Sequence, residues 1–156
     1  MTHKEHMRRA VALSRQKMLE GEGGPFAAVI VKDGRVVAEG WNQVTSLNDP
    51  TAHAEVMAIR AACRALGTFS LEGAVIYANC EPCPMCLAAA YWARVSMVYY
   101  ATTSADAAAA GFDDRFLYQE LRLPKPQRSL PCVALPVEGA RAVLEEWAAL
   151  PGRTEY

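Results

Sequence analysis

Two short segments of this chain carry a histidine, a glutamate and two cysteines, and they lie far apart in the sequence. The first is His53-Ala54-Glu55, and the second is Pro82-Cys83-Pro84-Met85-Cys86. A stretch typical of a helix and a stretch typical of a buried strand separate them. Imidazole nitrogen and thiolate sulfur are preferred ligands of zinc. We therefore expect a fold that brings the two segments together around one zinc ion per chain.

The number of candidate ligands distinguishes a catalytic zinc site from a structural one. Structural sites fill all four zinc positions with protein side chains, whereas these segments offer His53, Cys83 and Cys86. The fourth position is then open to a water molecule, whose pKa the zinc lowers towards neutrality. Glu55 is left outside the ligand set, where it can move protons as a general acid and base. The sequence therefore predicts a zinc-bound hydroxide with a carboxylate proton shuttle.

A lone Cys-x-x-Cys has two common alternative interpretations, a redox pair or half of a zinc ribbon. No second Cys-x-x-Cys is present that would complete four sulfur ligands. A disulfide would need an oxidising compartment, and the sequence shows no signal peptide pattern. We favour catalysis over a non-enzymatic zinc-binding module. The remaining cysteines are expected to be small buried hydrophobes, with Cys80 the open case because it neighbours the site: Cys63, Cys80 and Cys132.

Composition and charge limit the partners of the chain. Its 156 residues, 52% of them hydrophobic, suffice for one domain with a sizeable core. The formal net charge of −1 gives no general attraction to phosphate backbones, so we expect a small-molecule substrate and no nucleic acid. Because no long apolar run is present, we expect no membrane span and a cytoplasmic location.

The order of helix-like and strand-like segments predicts an α/β fold. Asp33-Gly34, between two apolar runs, is a hairpin signal and predicts two antiparallel strands. A helix after Asp49 and Thr51, either of which can cap it, should end near Leu66-Gly67 and lead into a buried strand. A helix starting at Pro84 and a further strand then form a parallel crossover. We therefore expect a three-layer α-β-α sandwich with a mixed central sheet.

Apolar spacing and turn residues give approximate bounds for these elements. A first helix carries apolar residues at roughly helical spacing and stops at a glycine-rich stretch. The apolar positions of that helix are Met7, Val11, Met18 and Leu19. Strands are expected over residues 26–31, 36–38, 74–78 and 95–101, and later helices over 84–93, 105–110, 115–122 and 137–150.

The chain resembles the bacterial guanine deaminases, within the cytidine deaminase-like zinc superfamily, over almost its whole length. The pattern H-x-E…P-C-x-x-C is the known signature of zinc-dependent deaminases, in which the Glu acts as general acid and base, and this chain matches that signature. The superfamily segments are Gly23-Gly24-Pro25-Phe26, residues 48–55, residues 80–86 and Tyr91-Trp92-Ala93-Arg94. Residues 106–114 and the ending Glu155-Tyr156 are more specific to guanine deaminases.

The resemblance implies hydrolytic deamination of guanine to xanthine and ammonia, with roles for further residues. It implies that Asn42 hydrogen-bonds the purine, although a turn residue explains Asn42 nearly as well. It implies that Asp114 is a second carboxylate that contacts the base and assists proton transfer. The alternative is that Asp114 only caps the helix that follows it. Phe26 and Trp92 would form walls of the base pocket, although both could be core residues.

The resemblance also implies a homodimer. Prolines interrupt residues 124–136 before a final helix, so this segment cannot be one continuous helix. Similar enzymes exchange the C-terminal segment, here residues 124–156, within a dimer, so that Tyr156 closes the partner's site. A disordered terminus is the usual alternative for such an ending.

Other amino-bearing bases remain open as substrates at this point. Guanosine differs from guanine only in the ribose that the pocket must admit. Cytosine and the adenosine of tRNA are further candidates, but a tRNA editor should carry a basic surface and bind in a salt-sensitive manner.

Overall fold

The computed structural model describes residues 1–156, which form two compact units, Met1–Tyr118 and Gln119–Tyr156. The strands are β1 (Ala27–Lys32), β2 (Arg35–Trp41), β3 (Val75–Cys80) and β4 (Met97–Thr102). The helices of the first unit are α1 (His3–Leu19), α2 (Val44–Leu47), α3 (Ala54–Leu66), α4 (Pro84–Trp92) and α5 (Ser104–Ala109). Helix α6 (Arg115–Arg122) begins in the first unit and ends in the second, which also contains a 3-10 turn (Lys125–Gln127) and α7 (Ala140–Ala149).

The four strands form one mixed sheet in the order β2-β1-β3-β4. β1 pairs antiparallel with both β2 and β3, and β3 pairs in parallel with β4. Asp33 and Gly34 join β1 to β2 with φ angles of 50° and 73°, as a tight hairpin requires. The hairpin and the parallel crossover through α4 are both confirmed.

Side chains of β1 alternate between two apolar layers. Ala28 and Ile30 pack with Ala58 of α3, on one face of the sheet. Val29 and Val31 pack with Ala10 of α1, on the other face. This alternation follows from the period-2 geometry of a strand. Helices therefore cover both faces of a mixed sheet, and the expected α/β sandwich is confirmed.

The first helix forms where its apolar residues indicated, but a different face is buried. Thr2 caps α1 by accepting a hydrogen bond from the Glu5 amide, in a capping box. The buried positions are His6, Ala10 and Ser14, whereas Val11, Met18 and Leu19 are exposed. Small side chains at the contact let the helix lie close to the sheet.

No helix of the chain is both long and apolar enough to span a membrane.

Glycine at position 40 sets the position of α3 on the sheet. A Cβ added to Gly40 would lie 2.3 Å from the amide nitrogen of Ala58 and 2.4 Å from the carbonyl oxygen of Ala54. Both atoms belong to the backbone of α3, so only glycine allows this close approach.

Gly40→Ala is therefore expected to push α3 off β2 and to destabilise the fold by about 1–3 kcal/mol, the usual cost of overpacking. Urea unfolding measures the change. Glu39→Ala, on the neighbouring residue of β2, removes a partly exposed ion pair with Arg9 and should cost about 1 kcal/mol or less. Equal stability of Gly40→Ala and the parent would show that α3 can shift freely.

Candidate active site

The two segments that carry the metal-binding side chains meet at the N-terminal ends of α3 and α4. His53 directly precedes α3, Cys83 directly precedes α4, and Cys86 lies in the first turn of α4. The Nδ1 atom of His53 lies 3.5 Å from the Sγ atom of Cys83 and 3.5 Å from that of Cys86. All three ligand atoms lie within 4.8 Å of one another.

These distances fit a zinc ion. Tetrahedral zinc with bonds of about 2.3 Å to sulfur and about 2.0–2.1 Å to nitrogen separates the two ligand atoms by about 3.6 Å. His53, Cys83 and Cys86 can therefore hold one ion from three sides without rearrangement. Three protein ligands leave one position open, which is the pattern of catalytic zinc sites.

The start of α4 favours the thiolate form that binds zinc. Pro84 occupies the first turn, where its missing N–H costs no hydrogen bond. The free N–H groups and the helix dipole at this end favour negative charge. The hydrogen bond from Cys86 lowers the pKa of Cys83 to about 4, and His53 adds to this effect. Only the Cys83 thiol is affected in this way, because the same bond, together with burial, raises the pKa of Cys86.

The caps expected for α3 are not formed. His53 itself occupies the N-cap position, with no side-chain capping bond. The Asp49 side chain instead accepts hydrogen bonds from the amide and hydroxyl of Thr51, within the loop. The prediction that Asp49 or Thr51 caps this helix was therefore wrong. The N-cap position is occupied by a side chain that faces the metal site.

Glu55 is buried in the first turn of α3, beside the metal-binding side chains. Burial is the largest effect on this group and raises the pKa of its carboxyl group. A carboxyl group with a raised pKa can hold a proton near neutral pH and release it again, as a general acid and base must. Its position and chemistry thus suit a proton shuttle.

A cavity of about 590 Å³ opens next to the metal-binding side chains, within the size range of small-molecule sites. His53, Glu55 and Cys83 line one side. The loop that follows α1 lines another, and a third wall consists of Phe112, Asp113, Asp114 and Leu117. All these lining residues belong to the first unit.

Asn42 offers this cavity a hydrogen-bond donor. Its Oδ1 atom accepts from the amide nitrogens of Gly24, at 3.2 Å, and Val44, at 3.1 Å. These two bonds occupy the acceptor oxygen, and they fix the orientation of the amide group. Gly23 allows the loop to approach, since a Cβ there would lie 2.6 Å from the same oxygen. Asn42 lines the cavity, and its Nδ2 group makes no hydrogen bond within the protein, so it is left as a donor for a ligand.

Asp114 offers the same cavity an acceptor. Its Oδ1 atom is buried and has no hydrogen-bond partner in the protein. Burial, followed by the charge of Cys83, raises the pKa of this carboxyl group. An unpaired buried oxygen in a cavity wall is costly unless a ligand completes its hydrogen bonding. Asp113, and not Asp114, accepts from the Arg115 amide at the start of α6.

The aromatic residues expected around the pocket separate into two groups. Phe26 lines the cavity and contacts Phe112 edge to face, with ring centroids 4.9 Å apart. Trp92 does not line it, and its side chain is 65% exposed in the chain. Trp92 is the last residue of α4, about 13 Å along the helix from Cys83 at 1.5 Å per residue. The structure therefore does not bring Trp92 to this cavity.

Some residues of the site were not singled out from the sequence. Phe112 lies in a segment that carries the resemblance, but no role was predicted for it.

Cys80 is buried and lines the cavity, whereas the expectation of burial was wrong for Cys132, which is exposed. Cys63 is half-buried. Tyr156 belongs to the second unit, where its side chain is 72% exposed.

A polar side chain next to Cys80 fixes the loop that forms the pocket wall. Asn79 accepts from the amide of Ala27, at 2.8 Å, and donates to the carbonyl of Pro25, at 2.9 Å. It also donates to the hydroxyl of Ser14 on α1, at 3.2 Å. These bonds attach the loop before β1 to the end of β3, where the second metal-binding segment begins.

Comparison with known proteins agrees with this site. Residues 1–102 match the model of the cytidine and deoxycytidylate deaminase zinc-binding region. Guanine deaminase of Bacillus subtilis is 48% identical over the full length of both chains. Its crystal structure superposes with a TM-score of 0.97, covering 100% of this chain and 99% of the other.

More distant relatives match a shorter part of the chain. A tRNA-specific adenosine deaminase of Agrobacterium fabrum is 40% identical and covers 76% of this chain and 78% of its own. A guanine deaminase from Nitrosomonas europaea is 31% identical to this chain in sequence. Its structure superposes with a TM-score of 0.69, and the match covers 72% of this chain and 65% of that one. The chain therefore belongs to the cytidine and deoxycytidylate deaminase family of zinc-dependent aminohydrolases.

Proposed function

We propose that this enzyme converts guanine and water to xanthine and ammonia. The observation that carries the proposal is the cavity beside His53, Cys83 and Cys86, which is lined by Asn42, whose amide is held in one orientation, and by Asp114, whose Oδ1 atom is unpaired. A purine base carries acceptor atoms and N–H donors on its edges, which complement these groups. The full-length likeness to a guanine deaminase selects guanine among the amino-bearing bases.

Asn42 and Asp114 are proposed to orient the base. The Nδ2 group of Asn42 donates to a ring nitrogen or carbonyl oxygen of guanine, because its own oxygen is already occupied. Asp114 accepts from an N–H group of the base, which completes the hydrogen bonding of its buried Oδ1 atom. Phe26 and Phe112 provide apolar contact to the flat ring.

Glu55 is proposed to move the protons of the reaction. Bound zinc supplies a nucleophile at neutral pH by lowering the pKa of a coordinated water. Glu55 accepts a proton from the attacking water and delivers it to the ring nitrogen next to the amino-bearing carbon. Glu55 then takes the second proton of that water from the hydroxyl group now on the ring carbon and delivers it to the departing amine, which leaves as ammonia as the carbonyl group of xanthine forms. The burial of Glu55 supports this role, since it raises the pKa of the carboxyl group.

Product identification tests the proposed reaction. The zinc-loaded enzyme is incubated with guanine, and xanthine and ammonia are each quantified over time. Equal molar amounts of the two products are expected. Guanine that remains unchanged at high enzyme concentration would contradict the proposal.

The adenosine of a tRNA is the second candidate substrate, because a tRNA-specific adenosine deaminase is 40% identical over 76% of this chain. The net charge of −1 provides no basic surface overall, and we propose that the chain does not bind nucleic acid. Inosine formation in tRNA, with affinity that falls as salt rises, would favour this candidate. Absence of inosine together with xanthine formation from guanine would exclude it.

We also propose that residues 124–156 are exchanged within a homodimer, so that Tyr156 closes the partner's cavity. Apolar side chains of the second unit are exposed in the single chain, Val133 and Leu135 at 87% and 86%. Several such side chains in one segment are typical of an interface. A cytoplasmic location is proposed with it, because reducing conditions keep the metal-binding thiols available.

Deletion of residues 151–156 is expected to lower kcat/KM for guanine by about 10-fold or more, because closure of a site excludes water and positions the substrate. Zinc content and melting temperature should stay close to those of the parent. Steady-state kinetics and zinc analysis measure the two effects.

Co-expression of the deletion variant with full-length Glu55→Gln distinguishes exchange within a dimer from closure within one chain. In a mixed dimer, exchange would place the tail of the Glu55→Gln chain over the cavity of the deletion variant, which keeps Glu55. Turnover above the sum of the two separate variants is expected. Turnover equal to that sum would contradict exchange.

A further inference from the structure

The segment that carries Asp114 is fixed to the rest of the first unit at two points. At one end, the Phe112 ring contacts the Phe26 ring, with centroids 4.9 Å apart. At the other end, the hydroxyl of Tyr118 donates a hydrogen bond of 2.9 Å to the carbonyl oxygen of Pro82. Pro82 directly precedes the zinc ligand Cys83. The hydroxyl of Tyr118 thus connects the wall of the cavity to the metal-binding segment.

The backbone of one helical turn links the position of Asp114 to that of Tyr118. The carbonyl oxygen of Asp114 accepts from the amide nitrogens of Leu117, at 3.0 Å, and Tyr118, at 3.3 Å. These bonds form the first turn of α6, in which residues three and four apart lie on one side. Asp114 and Tyr118 therefore move together as parts of one helical turn.

The Asp114 side chain has little else to hold it in place. Its Oδ1 atom has no partner in the protein. The carboxyl group has a hydrogen bond only within its own residue, and the negative charges of Cys83, Glu81 and Asp113 raise its pKa without holding it in place. The cation next in sequence, Arg115, is bound to Asp113 instead. The location of the Asp114 carboxyl group thus depends on the attachment of its helical turn.

We propose that Tyr118 is a positioning residue for Asp114, whose hydroxyl bond to Pro82 fixes the Asp114 carboxyl group relative to the metal-binding segment. This inference rests on the role of Asp114 in the proposed function. Loss of a single neutral hydrogen bond changes an equilibrium by about 1 kcal/mol, which is about fivefold at 1.36 kcal/mol per tenfold change. The expected effect on kcat/KM is therefore about 3- to 10-fold.

A double-mutant cycle tests the inference. Tyr118→Phe removes one oxygen atom and should lower kcat/KM for guanine by about 3- to 10-fold with unchanged zinc content. Asp114→Asn should lower it further, and the double variant should equal Asp114→Asn alone, because the two residues act as one unit. Tyr91→Phe is the matched control, since Tyr91 is 74% exposed and outside the cavity.

Each outcome of the cycle has one meaning. Losses that multiply in the double variant would show that Tyr118 acts independently of Asp114, and would overturn the inference while leaving the proposed function intact. Parent-like turnover of Asp114→Asn would overturn the role of Asp114 in the proposed function, and the positioning role with it.

Amide hydrogen exchange tests the same attachment without any substrate. Tyr118→Phe should speed exchange over residues 114–118, because the first turn of α6 loses its bond to Pro82. The core strand β3 should exchange as in the parent. Unchanged exchange over residues 114–118 would contradict the inference, whether or not the enzyme acts on guanine.

Discussion

Glu55→Gln is expected to lower kcat on guanine by about 10²-fold or more while the enzyme keeps one zinc per chain, because glutamine cannot accept and return a proton. The substitution keeps the size of the side chain. Glu55 lies outside the candidate ligand set of His53, Cys83 and Cys86, so zinc binding should not depend on it. Steady-state kinetics and zinc analysis on the same preparation measure both quantities.

The stability of the same variant provides a check on folding. Burial raises the pKa of Glu55 in the folded state, so ionisation of this carboxyl group disfavours folding as pH rises through the raised pKa. Neutral glutamine avoids this effect. After zinc removal, Glu55→Gln should therefore melt above the parent at alkaline pH, and the difference should shrink as pH falls. Parent-like turnover of this variant would refute the assignment of Glu55 as the proton shuttle.

Cys83→Ala is expected to lose stoichiometric zinc and to lower kcat by about 10³-fold or more, because water without a bound metal has a pKa far above neutrality, whereas zinc lowers the pKa of a bound water to near neutrality. The fold should remain, since the apolar core is built on the central strands, around Ala28, Ile30 and Ile76, and Cys83 is not part of it. Zinc analysis, circular dichroism and kinetics measure the three properties.

The matched control for this change is Cys63→Ala, a half-buried cysteine of α3 that does not line the cavity. It should retain zinc and turnover. Unfolding of Cys83→Ala, or of the parent after chelation, would indicate a structural zinc site and favour a zinc-stabilised binding module. A catalytic site predicts a folded protein that regains activity when zinc is restored.

The metal site and most of the fold follow from local sequence signals. Asp33-Gly34 predicts the hairpin because both positions require positive φ, and both have it. Gly67 adopts the left-handed conformation that ends α3 close to the predicted position. The zinc pattern predicts convergence of distant segments because few other arrangements satisfy the metal, and the structure brings His53 within 3.5 Å of each sulfur.

Features that depend on packing between distant segments did not follow from the sequence. The buried face of α1 is set by close contact with the sheet, which selects Ala10 over the larger Val11. Trp92 lies too far along α4 to reach the cavity. The amide of Asn42 proves to be a donor alone, because two backbone amides occupy its oxygen. None of these contacts has a local sequence signal.

Guanine deamination is tested most directly by initial-rate ammonia release from the zinc-loaded enzyme, with Glu55→Gln as the blank. Guanine, guanosine, cytosine and adenosine-containing tRNA are compared at equal enzyme concentration. The proposed mechanism predicts rapid release from guanine that depends on Glu55, with little or none from the other three substrates. Preferred release from guanosine, or release from guanine by Glu55→Gln at the parent rate, would contradict it.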